Sequence, residues 1–359
     1  MSRGHHSAEE LAADAEQVRD ITVVGAGPIG LTCAFWAGMR EASVRLIDTL
    51  PEIGGQLTAL YPEKWIFDVP GRPRVLAREL VDQLAEQSLG QFDVPVHLGT
   101  TAVRIDWEGE GADRVVVLHT DRGPLRSRAV IVAGGHGAFE PKRLPEGDVD
   151  MAPWEGRGAA YVVGEKARYA GRRVVVVGGG DSALDWVLNL LDTASHVTLV
   201  HRRERFRAHE LTLSQVRAAA ATEQVDLQVP YVLREVHGNG HVAGVVLERA
   251  GGGERVELPC DEILLQLGFS TRLGPLQDWG LDLDRTAIRV DPQGRTNLER
   301  VWACGDITTH PGKLKLIATG FGEAAIAVAQ AVHAFRPELA LQPAYSTNSG
   351  VPGGAAGQP

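Results

Sequence analysis

Two short glycine runs hold the residues best placed to do chemistry. The first reads Gly25-Ala26-Gly27-Pro28-Ile29-Gly30, and an acid, Asp48, stands 48 − 25 = 23 residues after its first glycine. The second reads Gly178-Gly179-Gly180-Asp181-Ser182-Ala183, with a small residue at its third position. There the same count, 178 + 23 = 201, lands on His201, followed by Arg202 and Arg203. In a turn of this kind the first glycine permits the bend, the second lets the backbone approach a pyrophosphate, and the third lets the helix pack near the strand. The helix start then offers free N–H groups and partial positive charge to the phosphates. An acid at the next strand end takes the ribose hydroxyls of an adenosine without a 2′-phosphate, whereas guanidiniums there match one that carries it.

The two sites therefore predict different nucleotides. Gly25, Gly27, Pro28, Ile29, Gly30 and Asp48 suit FAD, whose adenosine ribose is unmodified. Gly178, Gly180, Asp181, Ser182, His201, Arg202 and Arg203 suit NADPH, and Arg207 adds a third guanidinium. Charge-assisted bonds, discounted for exposure, predict roughly 2–4 kcal/mol in favour of NADPH over NADH, about 30- to 1000-fold. The alternative for Arg202 and Arg203 is a solvated basic turn.

Each run needs a strand before it and a helix after it. DITVV (20–24) and RRVVVV (172–177) have strand character, LTCAFWAGM and SALDWVLNLL have helical character, and SVRLID and HVTLVHRR supply the second strands. A glycine run alone is weak evidence, and this strand, turn, helix and strand setting makes it specific. Two further segments belong with the first site. Residues 129–135, ending in IVAGG, read as a strand leaving that domain. VWACGD ends in Asp306, placed to meet the ribityl chain or pyrophosphate of FAD, and the apolar helix GFGEAAIAVAQAV follows, its start aimed at the flavin pyrimidine edge. The expected fold is α/β: two Rossmann-like, three-layer ββα nucleotide-binding domains, the NADPH domain inserted in the FAD domain. The expected spans are 18–136 and 270–347 for the FAD domain, 137–269 for the NADPH domain, and tails at 1–17 and 348–359, with a short helix conceivable in the first tail.

Composition narrows the function. A net charge of −10 argues against nucleic acid as a partner. No apolar run reaches the roughly 18 residues a membrane span needs, and the N-terminus lacks a signal-peptide core. Cys33, Cys260 and Cys304 form no CxxC pair, which fits small buried core residues in a reducing cytoplasm. No metal site is expected.

The finer motifs carry a resemblance. LPEIGGQLTALYPEKWIFDVPG (Leu50–Gly71), GGGDSALDW (Gly178–Trp186), HRRERFRAHE (His201–Glu210), GKLKLIATGFGEA (Gly312–Ala324) and QPAYST (Gln342–Thr347) are similar to the thioredoxin-reductase-like ferredoxin–NADP⁺ reductases of bacteria. The likeness runs from about Asp20 to Thr347. Thioredoxin reductases carry a CxxC in the NADPH domain. Here the stretch from Trp154 past Gly180 has no cysteine, so a dithiol relay there is not available. The resemblance implies that Gln56 contacts the flavin, that Tyr61 stacks on one flavin face, that Val103 lies by the adenine, and that Phe139 and Asp306 line the FAD site. It places Tyr345 over the other flavin face, with Thr347 beside it, in the partner subunit of a homodimer. Some relatives carry His where this chain has Tyr345, and tyrosines are common where it has Trp65 and Phe67.

The expected reaction is ping-pong electron transfer: hydride from NADPH to FAD, then single electrons to ferredoxin or flavodoxin, an acidic redox protein. Tyr345 must move, or the domains rotate about hinges near Gly135–Gly137 and Gly268–Phe269, before hydride transfer. The alternatives are an NADPH diaphorase or quinone reductase of the same fold, and a non-turnover NADPH and flavin redox sensor. The FxGxxxHxxxW stretch of a Baeyer–Villiger monooxygenase is absent.

Overall fold

The computed structural model describes residues 8–135, 137–145, 148–342 and 350–352. The chain divides into two compact units, one of residues up to Ala138 and from Thr271 onward, the other Phe139–Ser270.

In the first unit four parallel strands lie in the order Val96–Leu98, Val44–Asp48, Arg19–Val24, Gly123–Val132. The strand Val301–Ala303 joins Gly123–Val132 in parallel register, pairing Val301 with Val130. The first half of Gly123–Val132 also pairs antiparallel with Val115–Thr120, which pairs in turn with Ala102–Glu108. Strand side chains alternate between faces, and each face meets its own layer. Ile21, Val23, Leu46, Ala129 and Ile131 point into a core shared with the helices Pro28–Met39, Ala77–Ser88 and Ile317–Phe335. Ile47, Val130 and Val132 point the other way, onto the antiparallel strands and the segment Gly274–Trp279.

The second unit repeats the plan. Its parallel sheet has the order Ala159–Ala160, Glu262–Leu265, Arg173–Val177, His196–Val200, Val225–Gln228. Val174, Val176 and Leu199 pack on the helices Asp181–Leu190 and Glu210–Ala221. Val175, Val177 and Val200 pack on an antiparallel sheet of Tyr231–Gly238, Val242–Arg249 and Arg255–Pro259. Burial on both faces explains why these strands read as unbroken valine runs.

Two elements differ from the reading of the sequence. The short helix conceived for the segment 1–17 is present as Ala8–Ala15, but it is anchored to the first unit rather than a loose polar tail. Leu11 is buried, and the Asp14 carboxylate meets His97 at 2.8 Å, Arg19 at 2.7 Å and the fully buried Arg45 at 3.2 Å. Burial pushes the Asp14 carboxyl up, but His97, Arg45 and Arg19 outweigh it and hold it below the usual range. Removing one member of such a buried cluster costs about 3–5 kcal/mol. The helix expected from Gly320 starts a turn earlier, at Ile317. Gly320 sits inside it because Ile29 crosses there: a Cβ on Gly320 would lie 2.5 Å from Ile29 Cδ1.

Candidate functional site

The first glycine turn is fixed by the backbone around it. Gly25 has φ of +114°, and a Cβ there would lie 2.5 Å from the carbonyl oxygen of Ala133. Gly30 carries the helix so close to the strand that a Cβ would meet Gly25 O at 1.8 Å. Gly27 differs. It caps the helix Pro28–Met39 at φ of −73°, and a Cβ would find nothing nearer than 3.9 Å. The fold does not require glycine at this position. What glycine leaves is room directly above a helix start that has no side-chain cap, a cradle that fits a pyrophosphate.

Asp48 closes this turn. Its carboxylate accepts the N–H of Ala26 at 2.7 Å and of Leu50 at 2.8 Å. Burial raises its pKa, and the backbone donors Leu50, Ala26 and Thr49 pull the other way. These backbone bonds leave lone pairs for a diol. The next loop seals the other side: Gly54 N–H donates to Ala26 O at 2.8 Å, and a Cβ on Gly55 would lie 3.2 Å from Gly27 Cα. Gln56 follows, its Nε2 3.4 Å from where a Cβ of Gly135 would stand. Val103 is exposed on the strand Ala102–Glu108, shortly after Thr100, whose N–H donates to Asp48 O at 2.8 Å.

The Gly-Asp segment converges on the same turn. A Cβ on Gly305 would lie 3.2 Å from Ile29, so Ile29 packs between Gly305 and Gly320. Gly305 N–H donates to Glu323 Oε2 at 2.7 Å, and Lys313 Nζ, nearly buried, pairs with Glu323 at 2.5 and 2.6 Å. Burial raises the Tyr61 pKa, and the charge of Asp306 raises it further. Lys313 and Glu323 were passed over in the sequence. They lie within GKLKLIATGFGEA, but no spacing rule marks a lysine and a glutamate ten residues apart as a clamp on a distant glycine.

The second turn uses other means. A Cβ on Gly178 would lie 2.3 Å from Gln266 O, and one on Gly179 would overlap the His201 ring at 2.2 Å. Gly180, the cap of Asp181–Leu190, again has open space, with nothing nearer than 4.0 Å. The loop after His201 folds back: Arg207 N–H donates to Gly179 O at 2.8 Å, and His209 N–H to Asp181 Oδ1 at 2.8 Å. His201 stacks against Phe206 with centroids 4.8 Å apart. Burial lowers the His201 pKa, and Arg202 and Arg203 lower it further against the carbonyl of Arg205. Arg202, Arg203 and Arg207 are exposed and pair with no carboxylate among the described residues. Ser182 lies in the first turn of the helix, exposed beside Asp181.

Some expected residues are not brought into view. Tyr345 and Thr347 lie outside the described residues, as does the side chain of Phe139, whose backbone runs in the short strand Ala138–Pro141. The cysteines hold a finding the spacing did not reveal. All three are free and buried, and Cys33 and Cys304, 271 residues apart, lie with their sulfurs 3.6 Å from each other. The contact with Cys304, then burial, pushes the Cys33 thiol well up. Among the described residues no cluster of His, Cys, Asp or Glu is arranged to hold a metal, and no helix is long and apolar enough to cross a membrane.

Known proteins resemble this chain along most of its length. The family model described as pyridine nucleotide-disulphide oxidoreductase matches residues 19–331. A ferredoxin–NADP reductase of Thermus thermophilus is 46% identical over 334 residues, covering 93% of this chain and 98% of that protein. Ferredoxin–NADP reductase 2 of Listeria welshimeri is 40% identical, covering 92% and 98%. Among solved structures, Lactococcus lactis thioredoxin reductase in its FR conformation has a TM-score of 0.71 at 26% identity, covering 89% of this chain and 100% of that one.

Proposed function

The chain belongs to the pyridine nucleotide-disulphide oxidoreductase family, and we propose that within it this protein is an FAD-dependent ferredoxin–NADP⁺ reductase. The observation that carries the reading is the contrast in charge at two matching turns: a carboxylate, Asp48, at one and, at the other, exposed guanidiniums, Arg202 and Arg203, that pair with no carboxylate among the described residues. The first turn supports FAD and the second NADPH. When bound, the flavin supplies a two-electron acceptor for hydride and a one-electron donor for an iron–sulfur partner.

The chain's own residues do the rest. Gly25, Gly27 and Gly30 set the helix start against the pyrophosphate, and Asp48 receives the ribose. Asp306, held by the Gly305–Glu323–Lys313 clamp, faces the ribityl and pyrophosphate portion. Gln56 and Tyr61 flank the ring system, with Val103 by the adenine and Phe139 along the FAD pocket. Gly178, Gly180, Asp181 and Ser182 receive the coenzyme pyrophosphate, and Arg202, Arg203 and Arg207 its 2′-phosphate. No side-chain acid or base is needed for hydride transfer, so the protein's task is to hold the reacting atoms at about 3–3.5 Å. We assign Tyr345 and Thr347 to the second flavin face of the partner subunit in a homodimer, and the protein to the cytoplasm.

Stopped-flow spectroscopy tests the reading. NADPH is expected to bleach the flavin absorbance rapidly, NADH slowly, and added ferredoxin to restore it. Reoxidation by quinone or oxygen but not by ferredoxin or flavodoxin would make the protein a diaphorase. Absence of bleaching would make it a sensor.

A further inference from the structure

The segment that leaves Tyr61 forms an arm with two unlike faces. Trp65 pairs with Leu76 and Ile66 with Val75 in a short antiparallel hairpin. Its base is fixed by Ala77 N–H donating to Lys64 O and Arg78 N–H donating to Pro62 O, each at 3.0 Å. Val69 and Val75 are buried in the first unit's core, and Ile66 packs against it. That inner face ties the arm to the elements that carry the first glycine turn.

The outer face is left to solvent. Phe67 is 68% exposed and Trp65 38%. The Arg74 guanidinium lies over the Trp65 ring, 4.6 Å from its centroid, and Lys64 Nζ stands 5.9 Å from the centroid of Tyr61. Arg72 is exposed and makes no ion pair among the described residues. Residues 67–73 line an open groove of about 590 Å³. Residues 61–78 hold Lys64, Arg72, Arg74 and Arg78 against Glu63 and Asp68, so 4 − 2 = +2 on a chain whose net charge is −10. Two exposed aromatics on a locally basic arm mark a contact surface, and the local charge selects an acidic partner on an acidic protein.

We infer that this arm is where an acidic iron–sulfur protein docks, with Arg72 and Arg74 steering it and Trp65 and Phe67 forming the apolar centre of the contact. The inference rests on the reductase function proposed above and names the place where its second substrate is received. It puts that contact on the segment that begins four residues after Tyr61, the residue proposed above to flank the flavin. Small, transient interfaces of this composition are usual for electron-transfer pairs.

The test uses FAD-loaded full-length enzyme and a recombinant acidic [4Fe–4S] ferredoxin. In Arg72→Glu with Arg74→Glu, the KM for ferredoxin at low ionic strength is expected to rise at least tenfold, and the gap from wild type to shrink at high salt as screening removes the steering. NADPH–ferricyanide turnover, which needs no docking, is expected to stay at the wild-type level. Phe67→Ser is expected to raise the ferredoxin KM at every salt concentration and to leave the mass in solution unchanged. An unaltered KM in both variants would overturn the proposal. So would a change of oligomeric mass in Phe67→Ser, which would make this face a contact between copies of the chain. Wild-type enzyme that bleaches with NADPH but never reduces ferredoxin would fail the reductase reading itself, and the docking site with it.

Discussion

At the first glycine turn the group we propose for the ribose, Asp48, is part of the turn. Asp48 is drawn in by the N–H groups of Ala26 and Leu50 and is raised in pKa by its burial. At the second turn the structural work falls to a ring and a backbone. His201 fills the space over Gly179, and Arg207 N–H bonds Gly179 O, while the guanidiniums of Arg202 and Arg203 stand free in solvent. The difference teaches how two copies of one supersecondary plan serve two kinds of ligand. A group that stays bound is read by a residue the fold itself needs. On the proposed assignment, a coenzyme that must leave on every cycle is read chiefly by two exposed side chains, Arg202 and Arg203, that pair with no carboxylate among the described residues. Recognition and stability are therefore coupled at the first turn and separable at the second.

The largest effect should come from the separable side. Arg202→Ala with Arg203→Ala is expected to raise the KM for NADPH about 30- to 1000-fold, the roughly 2–4 kcal/mol of partly exposed charge-assisted bonding. The KM for NADH and the melting temperature should hardly move. Steady-state kinetics with both coenzymes and a thermal melt check it. Equal losses for NADPH and NADH would mean that the loop is a solvated basic turn.

Much of this contrast was legible before any coordinates. The glycine positions, the count to Asp48 and to His201 and the valine runs are local patterns, and local patterns survive in one dimension. What stayed hidden depends on residues far apart in the chain. Asp14 looked like a tail residue because Arg45 and His97, which make it a buried anchor, belong to other strands. Gly320 looked like a helix boundary because the side chain that demands it, Ile29, enters from a helix nearly the whole chain away. Cys33 and Cys304 looked isolated, yet their sulfurs are 3.6 Å apart. The arm after Tyr61 showed its aromatic and basic residues in the sequence but not that Arg74 lies over Trp65 on an exposed hairpin.

A smaller effect, of different character, is expected on the coupled side. Asp48→Asn keeps one acceptor and turns an amide donor toward backbone N–H groups that are donors themselves. Leaving one such group unmet costs about 1–3 kcal/mol. That cost should lower the melt by several degrees, at about 2–4 °C per kcal/mol for a chain of 150–250 residues, and the separate weakening of a charge-assisted bond to the ribose, up to about 3 kcal/mol, should lower flavin affinity by up to about 150-fold. Fluorescence titration of the apoprotein with FAD, beside a melt of the same apoprotein, separates the two. If affinity fell while the apoprotein melted as wild type, the coupling would be refuted and the two turns would differ only in charge.

The smallest effect concerns pH, and its sign decides which groups read the phosphate. His201 has its pKa lowered by burial and by Arg202 and Arg203, so it is neutral at pH 7 and above. The guanidiniums do not titrate in that range. A phosphate monoester loses its second proton near pH 6 and is a dianion above pH 7. The ratio of kcat/KM for NADPH over NADH should then stay within about twofold from pH 7.5 to 9, since neither the arginines nor the phosphate changes charge there. Below pH 6 the ratio should fall, because the phosphate gives up a charge there. If His201 carried the preference, the ratio would instead climb as the pH drops from 7.5 to 6, and the comparison between the two turns would have to be redrawn around the ring rather than the guanidiniums.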